Sequence, residues 1–197
     1  MAKYAPKLPG LHIAQQTVAD SDARWKILCA GRRFGKSRLG VQMCMEVALS
    51  GGRAWWVAPT FAISRVGWRD IQAAAASMPK EMGINIKVGD MQVDFAGGGS
   101  IGVRSADNPQ RLRGEGLDFL VMDEAAFVKE ETWTEVLRPT LTERQGSALF
   151  ISTPKGMDNW FYRLFEKAKQ GDDWERFQFP STSNPLVKES EVLSAKE

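Results

Sequence analysis

Cysteine is scarce in this sequence, and its placement argues against the sites that cysteine usually builds. The 197 residues include two cysteines, Cys29 and Cys44. Both stand in apolar stretches, and neither belongs to a CxxC pair or to a cysteine and histidine set with the spacing of metal ligands. The pattern argues against a disulfide framework or a zinc site, and it favours a reducing cytoplasm.

Long apolar runs are also missing. No run approaches the ~20 residues that a membrane-spanning helix needs, and Met1-Ala2-Lys3-Tyr4 lacks the apolar core of a signal peptide. We therefore expect a cytoplasmic protein with no membrane partner. With no internal repeat or low-complexity linker, a composition of 43% hydrophobic and 25% charged residues indicates one compact domain.

Charge is nearly balanced overall but unevenly distributed along the chain. The formal net charge is +2. Residues 1–114 contain sixteen Lys and Arg and eight Asp and Glu, whereas residues 115–197 contain ten Lys and Arg and sixteen Asp and Glu. A basic half suits a protein that meets phosphate groups, although solvated surfaces are often basic as well. Charge alone therefore leaves a nucleic-acid partner open.

Short apolar runs separated by helical stretches predict an α/β domain. Their near-continuous apolar character is typical of a parallel sheet covered by helices on both faces. The predicted strands are Trp25 to Ala30, Arg53 to Ala58, Leu117 to Met122 and Ala148 to Ser152. The predicted helices are Ser37 to Leu49, Phe61 to Met78 and Asp158 to Gln170.

Two further segments complete the predicted organisation. Ile84 to Ser105 alternates around Gly-rich turns, which predicts a β-meander inserted in the α/β frame. From Pro180 the polar sequence indicates a segment that leaves the domain. We therefore expect a domain over residues 1–180 and the start of a linker over residues 181–197.

A strand, a Gly-containing loop and a helix follow one another at the start of the domain. This order predicts a phosphate-binding loop: glycine lets backbone amides approach phosphates, lysine neutralises their charge and serine ligates Mg²⁺. A basic surface turn would explain the arginines but not the flanking strand and helix. Position 30 is alanine where the common GxxxxGK[ST] pattern has glycine, and Gly31 could supply the flexible position. The candidate nucleotide-binding residues are Gly31, Arg32, Arg33, Phe34, Gly35, Lys36, Ser37 and Arg38.

Two adjacent carboxylates follow the predicted strand that ends at Met122. Asp123 would join Ser37 in holding Mg²⁺, and Glu124 would orient and deprotonate the attacking water. Acids often follow strands in ordinary turns, but the preceding phosphate loop fits the alternating units of a P-loop sheet. With this glutamate, the elements predict an ASCE-type P-loop NTPase fold that uses ATP and Mg²⁺.

Another predicted strand ends in small polar residues. Ser152, Thr153 and Pro154, followed by Lys155-Gly156, could sense the γ-phosphate or its hydrolysis. The same residues also form an ordinary loop entry, and both interpretations stay open.

Together these motifs, in this order, resemble the large terminase subunit of tailed bacteriophages. The resemblance covers nearly the whole chain, and the Arg-rich phosphate loop with a displaced glycine is typical of that family. The motifs are Ala30 to Ser37, Ala58-Pro59-Thr60, Asn108 to Gly114, Leu120 to Ala126 and Ser152 to Gly156.

The resemblance implies a viral motor that hydrolyses ATP to move double-stranded DNA into a procapsid. Such a motor acts in the host cytoplasm as a homo-oligomeric ring on the portal protein, together with the small terminase subunit. Family members continue into a nuclease domain, whereas this sequence stops soon after Asn184-Pro185. We therefore expect an isolated ATPase domain and assign no nuclease residues.

The resemblance also implies roles for individual residues. Arg32 would contact nucleotide, the Ser152 to Pro154 segment would couple hydrolysis to movement, and an upstream glutamine would read adenine. That glutamine is Gln15 or Gln16, and spacing favours Gln15. Arg113, with Arg111 as its rival, would act as an arginine finger on a neighbouring subunit.

Two other functions remain alternatives. A helicase-type translocase would share the Asp123-Glu124-Ala125-Ala126 sequence, but it needs a second lobe for which 197 residues leave no room. A nucleotide-gated binding module without turnover would need the metal-holding acid but not the adjacent Glu124.

Overall fold

A single mixed β-sheet forms the centre of the described part of the chain. The computed structural model describes residues 10–168, 173–188 and 190. Across these residues the sheet has eight strands in the order β3-β4-β5-β2-β6-β7-β1-β8. The strands are β1 (Trp25–Ala30), β2 (Arg53–Ala58), β3 (Asn85–Lys87), β4 (Gln92–Asp94), β5 (Ser100–Ser105), β6 (Phe119–Met122), β7 (Ser147–Ser152) and β8 (Trp174–Phe179).

Helices cover both faces of this sheet, as its apolar strands predicted. They are α1 (Ile13–Ala19), α2 (Lys36–Leu49), α3 (Phe61–Ala76), a π-helical stretch (Thr132–Leu137) that continues as α4 (Arg138–Thr140), and α5 (Trp160–Lys167). One apolar layer joins α2 and α3 to the sheet, and a second joins the π-helical stretch and α5 to the opposite face. No helix in the described residues is long and apolar enough to span a membrane.

The order of the parallel strands confirms the predicted ASCE fold. Strands β5, β2, β6, β7, β1 and β8 run parallel, and β7 separates β6 from β1. The strand before the phosphate loop and the strand before the carboxylates are thus separated by one strand. Because parallel strands end at the same edge, the loops after β1, β7 and β6 lie side by side.

The predicted β-meander extends the central sheet. Strands β3, β4 and β5 pair in antiparallel fashion. Strand β5 also pairs in parallel with β2, in register from Arg53 with Ser100 to Ala58 with Ser105. The meander is therefore continuous with the parallel strands.

The predicted element bounds differ from the observed ones mainly at their ends. Helix α3 ends at Ala76, two residues before the predicted end. Helix α5 begins at Trp160 and ends at Lys167. Its predicted end at Gln170 lies outside the described residues.

Besides the π-helical stretch and α4, two elements near the phosphate loop were not predicted from the sequence. Helix α1 is only seven residues long, and strand β8 pairs in parallel with β1 from Trp25 with Trp174 to Ala30 with Phe179. Alternation of Phe177 and Phe179 with polar neighbours was the available signal for β8. These elements bring both ends of the described chain next to the phosphate loop.

Candidate nucleotide-binding site

The carboxyl ends of β1, β6 and β7 form one edge of a cavity of about 540 Å³. The cavity combines a phosphate loop, two carboxylates and a small polar residue after β7, as the sequence predicted. Its lining residues are Arg32, Arg33, Gly35, Lys36, Ser37, Ile63, Asp123, Glu124, Phe127 and Thr153.

A second cavity of about 640 Å³ lies against the π-helical stretch and α5. Trp133, Trp160 and Trp174 line it, together with Arg138 and Arg163. It has neither the loop amides and helix N-terminus nor the paired carboxylates of the first cavity. Although this cavity is larger, the groups suited to phosphate binding line the other one.

The phosphate loop takes its sharp turns at Gly35 and Arg33. Gly35 has φ 97°, and Arg33 has φ 63°, so both adopt left-handed backbone conformations. Gly31, to which the sequence analysis assigned the flexible position, is not among the residues with positive φ. It packs instead against the chain after β8, where an added Cβ would lie 2.7 Å from the Ser181 backbone nitrogen. Close packing, rather than backbone freedom, therefore requires glycine at position 31.

Lys36 is held at the start of α2 by the loop itself. Its Nζ donates to the carbonyl oxygens of Ala30 at 2.8 Å and Gly31 at 3.1 Å, and its side chain is buried. Burial lowers the pKa of Lys36, while Asp123 and Glu124 partly offset this effect. The ammonium group has a third N–H, and a phosphate is the kind of acceptor that it can bind next to Ser37.

Asp123 and Glu124 occupy different environments although they are adjacent. Asp123 is 8% exposed, and its Oδ1 accepts a hydrogen bond from the Glu124 backbone N–H at 3.0 Å. Burial, followed by the charge of Glu124, raises the pKa of Asp123 to about 7, against the opposing effects of that hydrogen bond and Lys36. A bound cation would favour its ionised form.

Glu124 is held in an unusual backbone conformation. Its φ and ψ are both 46°, in the left-handed region that non-glycine residues seldom adopt. Its Oε2 and the Ser152 Oγ are buried without a hydrogen-bond partner among the described residues. Buried polar atoms of this kind are costly unless water or a ligand pairs with them. Because Glu124 lines the nucleotide cavity, its Oε2 fits a site that holds water.

These residues fit a magnesium nucleotide. Ser37 supplies a hydroxyl and Asp123 a carboxylate on the same cavity wall. No group of three or more His, Cys, Asp and Glu side chains among the described residues could hold a metal by itself. Mg²⁺ commonly takes one or two protein ligands and completes its shell with phosphate oxygens and water.

Two predicted nucleotide residues, Phe34 and Arg38, have side chains away from the cavity, and the two candidate glutamines differ in burial. The Phe34 side chain is fully buried, so only its backbone can face a ligand. Arg38 is exposed, does not line the cavity and donates to the Gly10 carbonyl at 2.6 Å. Gln15 is buried against the loop, while Gln16 is exposed and donates to Asp20.

Ser152 at the end of β7 and the residues that follow it divide between the interior and the surface. Ser152 is fully buried, Thr153 lines the nucleotide cavity and Pro154 is exposed. Lys155 Nζ lies 3.5 Å from the centroid of the Phe127 ring. This contact joins the loop after β7 to the turn that follows Glu124.

Arg113 lies away from the nucleotide cavity of its own chain. It is exposed and lines a separate cavity of about 340 Å³ together with Glu115, Glu135 and Glu143. Arg111 is exposed as well. Arg113 therefore does not complete the site of its own chain in this structure.

A family model described as terminase large subunit, T4likevirus-type, N-terminal, matches residues 27–194. The chain belongs to this terminase large subunit family. The terminase large subunit of Thermus virus P23-45 is 33% identical over 173 residues, covering 78% of this chain and 36% of that protein. The one from Escherichia phage T5 is 30% identical over 152 residues, covering 74% of this chain and 34% of that protein. The chain thus spans about a third of these relatives.

Solved terminase structures share the fold. The ATPase domain of the Thermus phage P74-26 large terminase is 28% identical, with a TM-score of 0.74 over 86% of this chain and 81% of that one. The bacteriophage HK97 large terminase is 11% identical, with a TM-score of 0.77 over 95% of this chain and 48% of that one. A large terminase from a thermophilic bacteriophage was solved in complex with ADP. It is 16% identical, with a TM-score of 0.74 over 95% of this chain and 50% of that one.

Proposed function

We propose that this terminase chain is an ATPase motor domain that drives double-stranded DNA into a viral procapsid. One observation carries the proposal: the fold brings the phosphate loop and the Asp123-Glu124 pair together around one cavity. A binding site alone has no use for a second carboxylate beside the metal-holding one. Family membership and the likeness to a phage terminase ATPase domain support the same function.

Each residue has a defined role in the proposed reaction. Lys36 and the loop amides bind the phosphates. Ser37 and Asp123 would hold Mg²⁺, which would neutralise charge on the phosphates when bound. Glu124 takes a proton from the attacking water, whose oxygen bonds to the γ-phosphorus as the bond to ADP breaks. Arg32 and Arg33 line the same cavity and add positive charge near the phosphates.

The proposed partners follow from the motor function. They are double-stranded DNA, the portal protein of the procapsid and the small terminase subunit, and the active form is a homo-oligomeric ring in the host cytoplasm. The excess of Lys and Arg through Gly114 is compatible with a DNA partner. Ser152, Thr153 and Pro154 are proposed to couple hydrolysis to movement, because they join the nucleotide cavity to an exposed loop. We do not propose DNA cleavage for this chain.

Phosphate release with and without double-stranded DNA tests the proposal. We expect ATP turnover that DNA stimulates, and DNA entry into procapsids when the chain is part of its full motor. Binding without turnover would identify a nucleotide-gated module. Turnover with strand separation but no packaging would favour a helicase-type translocase.

A further inference from the structure

Three consecutive carbonyl groups of the phosphate loop accept hydrogen bonds from side chains outside the loop. Two donors come from the start of the chain and one from the segment after β8. The bonds run from Asn184 Nδ2 to Arg33 O at 2.7 Å, from His12 Nε2 to Phe34 O at 2.9 Å and from Gln15 Nε2 to Gly35 O at 2.8 Å.

The two donors from the start of the chain are themselves held in place. Gln15 is 1% exposed, and its Oε1 accepts from the His12 backbone N–H at 3.1 Å. Because a carbonyl can only accept, His12 must carry its proton on Nε2 when it bonds Phe34. Its Nδ1 then faces the Gln15 backbone N–H at 3.4 Å. His12 and Gln15 therefore form a capping box at the start of α1. The Nε2 atoms of both side chains bond the phosphate loop.

Asn184 is oriented in the same way from the other end. Its Oδ1 accepts from the Leu186 backbone N–H at 3.0 Å, which turns the amide nitrogen toward Arg33. The adjoining Phe34 ring is fully buried, stacked on Phe179 and edge-on to His12. The outer side of the loop is thus fixed by packing as well as by hydrogen bonds.

Fixed carbonyls determine where the loop amides point. In a trans peptide the C=O and the following N–H lie in one plane and point in opposite directions. Holding the Phe34 carbonyl on the outer side therefore turns the Gly35 N–H toward the cavity that this residue lines. The Gly35 carbonyl accepts from the Leu39 N–H of α2 at 3.1 Å as well as from Gln15, and together these bonds set the direction of the Lys36 N–H. Inward amides at a helix N-terminus are what a phosphate requires.

We propose that His12, Gln15 and Asn184 are positioning residues that hold the phosphate loop in its binding conformation before nucleotide arrives. The inference rests on the proposed function, since it concerns the same nucleotide site. It differs from adenine recognition by Gln15 in the group that the side chain serves, because it assigns the amide to the Gly35 carbonyl and the His12 N–H rather than to a base. A positioning residue acts on every nucleoside triphosphate, whereas an adenine contact distinguishes ATP from GTP.

The test compares Gln15→Met and Asn184→Ala with two matched controls in the full 197-residue chain. Gln42→Met changes a half-buried glutamine whose side chain makes an exposed hydrogen bond to Glu46, and Asn85→Ala changes an exposed asparagine on β3. Dissociation constants for Mg-ATP and Mg-GTP are measured for each protein, together with kcat, KM and thermal unfolding. Asn184 lies in the segment after β8, where its bond to Arg33 is exposed, so its variant provides a test even if Gln15→Met does not fold.

We expect both test variants to weaken ATP and GTP binding by the same factor, about 3- to 10-fold, the scale of one lost hydrogen bond. KM should rise while kcat changes little, because Lys36, Asp123 and Glu124 are untouched. Unchanged affinities in folded variants would overturn the proposal. Selective loss of ATP binding in Gln15→Met would overturn it in favour of adenine recognition. Failure of the unaltered chain to bind any nucleotide would instead refute the proposed function itself.

Discussion

At the scale of single residues, the nucleotide site depends on charges that the fold removes from water. Lys36 is buried beside two carboxylates and is oriented by carbonyls of its own loop. Arg32 and Arg33 line the same cavity but are exposed. Because exposed guanidinium groups can move and are well solvated, we expect them to contribute less to phosphate binding than Lys36 does.

Lys36→Ala should abolish nucleotide binding or turnover, since the exposed arginines cannot place a charge at the same point. Arg38→Ala is the control, because Arg38 lies outside the cavity and bonds Gly10. Phosphate release and fluorescent-nucleotide binding measure both variants. Turnover near the unaltered level in a folded Lys36→Ala protein would contradict the role assigned to Lys36.

Substitutions of Asp123 and Glu124 should impair different steps. Glu124→Gln should retain Mg-ATP binding and lose roughly 10²-fold or more in hydrolysis, the scale of general-base catalysis. Asp123→Asn should instead weaken Mg²⁺-dependent binding, because the amide lacks the charge that holds the cation. Binding titrations with and without Mg²⁺, followed by single-turnover hydrolysis, distinguish the two. Exchange of the two phenotypes would reverse the assigned roles.

At the scale of elements, the site depends on how closely α2 and α3 approach the sheet. Trp56 on β2 is fully buried, and a glycine of each helix packs against it. A Cβ on Gly40 would lie 2.8 Å from the Trp56 ring, and a Cβ on Gly67 would lie 2.4 Å from its Nε1. Since α2 begins at Lys36, this packing also fixes the end of the phosphate loop.

Gly67→Ala should lower the free energy of unfolding by about 1–3 kcal/mol, the usual cost of overpacking a core. The gain of up to about 1 kcal/mol from replacing a helical glycine by alanine offsets part of this overpacking cost, and we expect the net change to remain a loss. Gly89→Ala is the control, because its Cβ would have no neighbour within 4 Å. Chemical denaturation measures both. A Gly67→Ala protein as stable as the unaltered chain would show that the Trp56 contact can relax.

At the scale of the whole molecule, we propose that Arg113 completes the nucleotide site of a neighbouring subunit. This arginine is exposed, among glutamates, in a cavity distinct from the nucleotide cavity. An arginine finger supplied in trans stabilises the charge that develops on the transferred phosphoryl group, an effect of ~10³ to 10⁵ in rate. A ring would bring such a residue to the site of a neighbour.

Mixing Arg113→Ala with Glu124→Gln should restore part of the ATPase activity that each variant lacks alone. In a mixed ring, an intact Glu124 site in an Arg113→Ala subunit can receive Arg113 from its Glu124→Gln neighbour. Phosphate release is measured after mixed rings are verified by mass. Arg111→Ala in the same assay tests the rival residue. No recovery in mixed rings, or full activity of Arg113→Ala alone, would remove the assignment.

Local patterns in the chain were sufficient to predict the fold class and to select residues that line the nucleotide cavity. Buried parallel strands must be apolar along their length, and the strands at Trp25–Ala30 and Arg53–Ala58 match the predicted bounds. The phosphate loop and the acidic pair are also local, because each follows directly from one strand. Both motifs could therefore be predicted from sequence before the structure placed them around one cavity.

The groups that support the site could be found only from the packed molecule. Position 31 must be glycine because Ser181 packs against it. The loop carbonyls accept hydrogen bonds from His12, Gln15 and Asn184. Asn184 lies 151 positions from its partner in the chain, and no local pattern encodes such a pairing. The short helix α1 and the edge strand β8 gave weak periodic signals for the same reason, since they depend on packing against β1 and the loop. Contacts between distant segments arise from packing of the whole chain, which sequence periodicity does not describe.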